Sequence, residues 1–523
     1  MNQKKLGAYY TPAYLSRFIA RRVFERIGKK CCVSILEPSV GDGSFINALK
    51  EINHPNIQLT ALDIKNKELL KAKNKWHSGK GTFTRANFLT FKRKSKLSVI
   101  IGNPPYVKKD RLSMAQFNRI KKIHTRENLT VSSAKNIWTA FLIKSIKLLK
   151  TDGILAFILP SELLQVKFTE EIRDYLKTQF ERIEIFTFSD LMFECKGQDT
   201  VVLFAYKKAN EKGEFFANIE SKDVLENNTF ELKKNNLLVS SKVKWTHHFL
   251  DSDELTLLDN LKKKLKSVNH YSDSKPGIVT AANKFFIIDK ETEKKYDLLK
   301  HTKPIIQKGL YVNGSVVFSD SNIKDLEKKK LPTKLLQFDN ADRISKKVKE
   351  YLQLGIDEEI PDRYKCRKRD NWYVIPNIAE VPDAFFFKRS HLYPKLLKNN
   401  SSALVTDSAY KVQMKNGYEL NSFIYSFYNT LTLILSEIEG RYYGGGVLEL
   451  TPSEFKKLPI PYSKITKKQF SKFTTSFEKK ANIEEILSLN DFDILNPILQ
   501  ISEDDMTKLT SIRNKLLKKR LRN

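Results

Sequence analysis

Leu36-Glu37-Pro38-Ser39-Val40-Gly41-Asp42-Gly43-Ser44-Phe45 closes the apolar run 32–37, and the reading of this strand-to-loop passage decides the fold. Gly41 and Gly43 allow the backbone to turn tightly and to approach a ligand at the mouth of the following helix. The spacing is not the dinucleotide fingerprint Gly-x-Gly-x-x-Gly, and no Lys-Ser/Thr pair follows to make a phosphate loop. Glu37 stands where a phosphate-binding loop would avoid negative charge. An acid there suits a cationic ligand, such as a sulfonium or an ammonium group.

Outward from this loop, the first 208 residues alternate short apolar runs with helical patterns, the sequence sign of an α/β fold with a mostly parallel, Rossmann-like sheet. Seven strands are predicted, at 32–37, 57–62, 81–84, 98–102, 154–159, 183–188 and 200–206. The last two form an antiparallel pair at one sheet edge in this reading. Residues 136–150 have helical periodicity, with Asp152-Gly153 as the stop. Strand two ends at Leu62-Asp63-Ile64, where a carboxylate can bind ribose hydroxyls beside an apolar neighbour. Strand three ends at Ala86-Asn87-Phe88, an amide and an aromatic able to read and stack a ring.

The fourth strand stops at Asn103-Pro104-Pro105-Tyr106. The Asn103 side chain and the Pro104 backbone both offer carbonyl acceptors, and the two proline rings stiffen the turn that aims them. Two acceptors can bind both hydrogens of an exocyclic amine and draw its lone pair out of conjugation. Tyr106 supplies a flat face for a base. A plain strand ending in a Pro-rich turn would read similarly. Three preceding strand tips carrying Glu37, Asp63 and Asn87-Phe88 argue against coincidence.

The 523 residues suffice for two or three domains, and 41% hydrophobic with 11% aromatic residues excludes a largely disordered chain. The net charge of +32 and pI near 9.6 imply a polyanionic partner and salt-sensitive binding. Cys31, Cys32, Cys195 and Cys366 form no Cys-x-x-Cys pair, so no zinc ribbon, other metal centre or disulfide framework is expected. No stretch approaches a membrane span, and the polar start is no signal peptide, which places the chain in the cytoplasm. Residues 209–245 read as a polar connecting region, giving domains at 1–245 and 246–523. The second domain is expected to be mixed α+β. Residues 506–523 form a helical pattern with seven basic and no acidic residues, either a solvated face or a phosphate contact.

With these motifs in this order, the chain resembles the gamma-class DNA adenine-N6 methyltransferases of the TaqI-like kind, found in type II restriction-modification systems. Gly7-Ala8-Tyr9-Tyr10-Thr11-Pro12 resembles the family motif that closes over the methionine part of S-adenosylmethionine, and its position ahead of the Glu37 loop defines the gamma order. The resemblance implies an S-adenosylmethionine-dependent catalytic domain followed by a target-recognition domain. It implies cofactor contacts from Tyr10, Thr11, Pro12, Glu37, Pro38, Ser39, Gly41 and Gly43, with Asp63 on the ribose and Ile64, Asn87 and Phe88 at the adenine. Asn103, Pro104, Pro105 and Tyr106 would hold a flipped target adenine, and Phe193 of Leu191-Met192-Phe193 would stack on its other face. Asn87 departs from the usual Asp, though its carbonyl can accept from the cofactor's adenine amine.

Three later patches resemble the family's recognition regions: 277–286, 364–373 and 441–446 leading to 458–461. The implied partners are duplex DNA and a separately encoded cognate endonuclease. A protein-glutamine or RNA methyltransferase, and a degenerate DNA-binding specificity subunit, are the competing readings. No nuclease motif is expected ahead of residue 7.

Overall fold

In the computed structural model, residues 11–521 are described except 29–31, 78, 190–198, 235–243, 313, 340–343, 377, 379 and 444. The chain separates into two compact units, the main division falling between Asp251 and Ser252. The expected boundary at 245/246 falls at the short turn Trp245–Phe249, whose buried Trp245 and His248 ring pack on Phe216 of the first unit.

The first unit is built on one sheet: β1 (Val33–Glu37), β2 (Ile57–Asp63), β3 (Lys80–Arg85), β4 (Leu97–Gly102), β5 (Leu149–Pro160), β6 (Arg182–Phe188), β7 (Thr200–Tyr206), β8 (Gly213–Ile219) and β9 (Lys233–Lys234). The spatial order is β3-β2-β1-β4-β5-β7-β6-β8-β9. Pairings from β3 through β5 are parallel, and β7 runs antiparallel to both its neighbours. All seven predicted strands are present, but among the described residues the sheet has nine. Because β8 adds in parallel to β6, the β6/β7 pair lies inside the sheet and not at its edge. β8 falls in the segment that reads as connector because Gly213-Glu214-Phe215-Phe216-Ala217-Asn218-Ile219 lacks clean alternation: Phe216, buried against Trp245, shares a face with Glu214 and the exposed Asn218.

Helices cover both faces: α1 (Ala13–Ile27), α2 (Ser44–Ile52), α3 (Asn66–Lys75), α4 (Met114–Thr125), α5 (Ile137–Leu148) and α6 (Glu170–Gln179). α1 to α3 close one apolar core against Ile35, Leu59, Val99 and Phe204, while α5 and α6 close the other against Leu36, Ile100, Leu155 and Leu203. α5 ends at Leu148, short of the predicted Asp152-Gly153 stop, because Leu149 turns extended and already pairs with Leu97. After β3 the chain returns to place β4 beside β1, so the strand order reverses between β1 and β4. Ligands of open α/β sheets bind at that crevice, outside the carboxyl ends of the strands.

The second unit holds a five-stranded sheet in the order Ser272–Pro276, Ala409–Met414, Ala384–Phe387, Lys395–Asn400, Val317–Ser319. A four-stranded sheet and the helices Thr430–Glu439, Ile483–Leu499 and Glu503–Leu521 accompany it. In the basic C-terminal helix, Arg520 pairs with the buried Glu437 (2.8 Å), Lys515 with Glu254 (2.8 Å) and Arg513 with Glu484. These cations hold the helix down within the unit. Lys508, Lys515 and Lys518 are exposed. Among the described residues no helix is long and apolar enough to cross a membrane.

Candidate active site

At the β1/β4 crevice a cavity of about 170 Å³ is lined by the tips of four successive strands. β1 delivers Glu37, Pro38, Ser39 and Gly41; β2 delivers Asp63 and Ile64; β3 delivers Asn87 and Phe88; β4 delivers Asn103 and Pro105. Thr11, just ahead of α1, joins them. Pro12, Gly43, Pro104 and Tyr106 are not on the lining. Tyr10 and Phe193 lie outside the described residues.

Each tip has a local reason for its shape. Gly41 sits at φ +53°, and a Cβ there would meet no protein atom within 4 Å, so the space above it is open. Gly43, at φ +81°, serves packing: a Cβ would stand 3.3 Å from Ala72 Cα of α3. Asp63 ties β2 to the glycine loop, its Oδ2 accepting from Gly41 N–H at 3.0 Å and its Oδ1 from Lys65 N–H at 2.8 Å. Asn87 Oδ1 accepts from Leu89 N–H at 2.9 Å. Phe88 is buried and packs on Phe141 with centroids 5.0 Å apart, whereas Ile64 is 58% exposed. An apolar side chain left uncovered at a cavity mouth is suited to packing on a ligand ring.

Asn103 is the most constrained residue of the site. Its Oδ1 accepts from the Tyr106 hydroxyl at 2.7 Å, its Nδ2 donates to Thr11 Oγ1 at 3.3 Å, and its backbone carbonyl accepts from Ser39 Oγ at 3.2 Å. The same Tyr106 hydroxyl lies 3.0 Å from the carbonyl of Ile158 on β5. Tyr106 is 9% exposed, so in this structure its main action is to aim the Asn103 amide.

The cavity is acidic within a strongly basic chain. Glu37, Asp42, Asp63 and Glu68 all line it, against Lys65. Glu37 is buried, its Oε2 has no hydrogen-bond partner, and burial, followed by the charges of Asp42 and Asp63, pushes its carboxyl well above the usual range. A buried unpaired carboxyl is costly unless something cationic completes it.

Sequence reasoning missed Gln116, Ile137 and Phe141 on the lining. Ser113-Met114-Ala115-Gln116 carries a capping-box pattern that could have located the start of α4. Ile137 and Phe141, four apart in the predicted helix 136–150, share one face of it.

Two family models match the chain: "Eco57I restriction-modification methylase" over residues 21–193, and "Type II methyltransferase M.Eco57I, C-terminal domain" over residues 242–495. The chain is similar to the type II methyltransferase M.AccI of Acinetobacter calcoaceticus, with 23% identity across 96% of this chain and 94% of that protein. It belongs to the type II restriction-modification methylases. Similarity to the type II methyltransferase M.HincII of Haemophilus influenzae is higher, 29%, but spans only 43% of this methylase and 42% of that one. In fold the methylase is similar to the type IIL restriction-modification enzyme MmeI, solved in complex with DNA. That TM-score is 0.60 at 12% identity, covering 99% of this chain and 77% of that one.

In the second unit two of the expected recognition patches come together. Arg369 donates to the Thr280 carbonyl at 2.8 Å, Arg363 to the Ala281 carbonyl at 3.2 Å, and Trp372 packs on Phe285 at 5.4 Å. Arg369 and Trp372 are therefore engaged within the unit, while Tyr364, Lys365, Arg367 and Lys368 are exposed.

Proposed function

We propose that this methylase transfers a methyl group from S-adenosylmethionine to N6 of an adenine swung out of duplex DNA, protecting that DNA from a separately encoded endonuclease. The observation that carries the reading is the Asn103 amide, held between the Tyr106 hydroxyl and Thr11 on the wall of an acidic cavity. The residues fit S-adenosylmethionine: the unpartnered Glu37 oxygen suits a cationic methionine end, open space above Gly41 admits a ligand, and Ile64 and Phe88 offer apolar faces for an adenine. Tyr10, Thr11, Pro12, Pro38 and Ser39 would close around the methionine part, with Asp63 at the ribose and Asn87 beside the adenine. The cofactor, when bound, supplies an electrophilic sulfonium methyl.

Asn103 Oδ1 and the Pro104 carbonyl accept the two hydrogens of the target amine, so that its lone pair is released for attack in line. Pro105 stiffens that turn. Tyr106 and Phe193 are the proposed faces on either side of the base. Extrusion of the base is required because N6 cannot be approached in line within the stacked duplex. Most of the rate then derives from alignment and fixed dipoles. The net charge of +32, with exposed Lys365, Arg367 and Lys368 in the second unit, supports a phosphate-binding surface.

The test offers methyl-labelled cofactor with plasmid DNA, RNA and a glutamine-bearing release-factor protein. Label is expected in DNA, on N6-methyladenine after digestion. Asn103→Ala is expected to lower the rate by about 100-fold or more while cofactor binding holds. Label confined to protein or RNA, or full DNA methylation by Asn103→Ala, would overturn the proposal.

A further inference from the structure

The chain that leaves Asn103-Pro104-Pro105-Tyr106 passes at once into a one-sided run of charge. Residues 108–126, which hold the turn Lys109–Arg111 and the helix α4, carry seven Lys or Arg against one acid, Asp110. Among the described residues none of the seven enters an ion pair, and the next acid along the chain, Glu127, is taken by Lys147 at 3.1 Å and the Tyr175 hydroxyl at 2.9 Å. The C-terminal helix is the contrast, since there Arg513, Lys515 and Arg520 each meet an acid.

The helix sorts its residues by face. Phe117, Ile120 and Ile123 pack into the core shared with α5 and α6, and Gln116 lines the cavity. Arg119, Lys122 and Arg126 are exposed together, in one row about 10 Å long at 1.5 Å per residue. Like charges at these spacings oppose the helix that carries them, so the row is not there for the helix itself. Lys108, Lys109 and Arg111 are exposed just ahead of α4, and the Phe117 ring holds the Lys109 and Lys121 ammonium groups 4.4 Å and 5.2 Å from its centroid. Met114 is the one large apolar residue exposed on α4, so the helix lacks the apolar stripe with which a membrane-lying helix binds.

We infer that the turn 108–111 and the outer row of α4 grip the phosphate backbone of the substrate DNA from the catalytic unit itself, whatever the base sequence. The inference rests on the DNA reading above. One strand presents a phosphate about every 3.4 Å along the axis, so the row spans about three of them. Such contacts position the duplex and carry no sequence information. They stand on the helix that also walls the cavity, a few residues from the Asn103 turn.

The experiment measures binding of the full chain to a fluorescein-labelled duplex of mixed sequence by anisotropy across a salt series. The triple variant Arg119→Gln, Lys122→Gln and Arg126→Gln is set against a control that removes equal charge from α2 and α3, which pack on the other face of the sheet: Lys50→Gln, Lys67→Gln and Lys73→Gln. Each lost phosphate contact lowers the slope of log K against log salt by about 0.9, so the α4 variant should lower it by about 2 to 3 and each single substitution by about 1. The control should keep the native slope, and S-adenosylhomocysteine affinity in calorimetry should be the same in every protein. Slopes that match the control in the α4 variant and its single substitutions overturn the inference, and leave the DNA reading standing if the native chain methylates plasmid. Loss of binding to phosphatidylglycerol vesicles with the DNA slope unmoved assigns the surface to a membrane and also overturns it. A native chain that methylates only protein or RNA overturns both readings.

Discussion

Replacing Glu37 by Gln separates a ligand-binding carboxyl from a structural one, because the two roles move stability and affinity in opposite directions. Glu37 is 1% exposed and its Oε2 has no partner. Burial, then the nearby Asp42 and Asp63, raises its pKa above the ordinary 4.5. Between the unfolded and folded values the folded chain holds more protons, so the stability this group contributes falls as pH rises through that window. The Gln variant lacks this titration. The two proteins should melt alike near about pH 4.5, and the variant should become the more stable as pH rises, since a buried unsatisfied group costs about 1–3 kcal/mol and a charged one more.

Affinity runs the other way. A hydrogen bond to a charged group is worth about 1.5–3 kcal/mol, so Glu37→Gln should weaken S-adenosylmethionine binding by about 10- to 150-fold. Binding of a cation also draws the proton off the native carboxyl, so native affinity should rise with pH while variant affinity stays flatter. Calorimetry in buffers of different ionisation enthalpy reads the released proton directly, and thermal melts across the same pH range read the stability. A variant that binds within about twofold of native, with the same pH dependence, would refute the assignment of Glu37 to the ligand.

Tyr106→Phe keeps the ring but removes the bonds to Asn103 Oδ1 and the Ile158 carbonyl; it should lower kcat about tenfold and stability by about 1 kcal/mol, leaving cofactor affinity unchanged in calorimetry. The two loop glycines should separate: Gly43→Ala meets Ala72 at 3.3 Å from a left-handed backbone and should lose more than the roughly 1–2 kcal/mol of backbone strain in denaturant titration. Gly41→Ala should lose only that strain but bind cofactor more weakly, since its open side faces the ligand. His124 is buried neutral between Ser133 Oγ (2.7 Å) and Thr139 Oγ1 (2.9 Å), and burial lowers its pKa from 6.5 to about 4. The unfolded chain takes up a proton in that window and the folded chain does not, so acid should remove about 3 kcal/mol between those pH values. Unfolding measurements on His124→Gln should show that slope flattened.

The first unit was readable because its strands are short, apolar and punctuated. Every predicted strand from Val33–Glu37 to Thr200–Tyr206 is present, and the tips of the first four line the crevice at the strand-order reversal. What escaped had physical causes. In β8 the buried Phe216 shares a face with Glu214 and the exposed Asn218, which breaks the alternation, and its absence from the prediction put β6 and β7 at an edge that they do not occupy. The end of α5 is set by the pairing of Leu149 with Leu97, a contact between residues far apart in sequence. In the C-terminal helix nothing in the sequence marks Arg513, Lys515 and Arg520 as the cations that pair with Glu484, Glu254 and Glu437, while Lys508 and Lys518 stay exposed. Charge in a sequence carries no address for its partner.

The cavity shows the same limit at the scale of single atoms. Sequence identifies residue 87 as an amide, which holds both an acceptor and a donor. Which way round it sits is decided two residues later, by the Leu89 N–H that bonds its oxygen. Gln116 repeats the arrangement from a different element, its oxygen claimed by Ser113 for the unrelated purpose of starting a helix. Helix capping and cavity lining thus share one side chain: any substitution at position 116 that alters the lining must also keep the cap, and Glu is the isosteric residue that satisfies both.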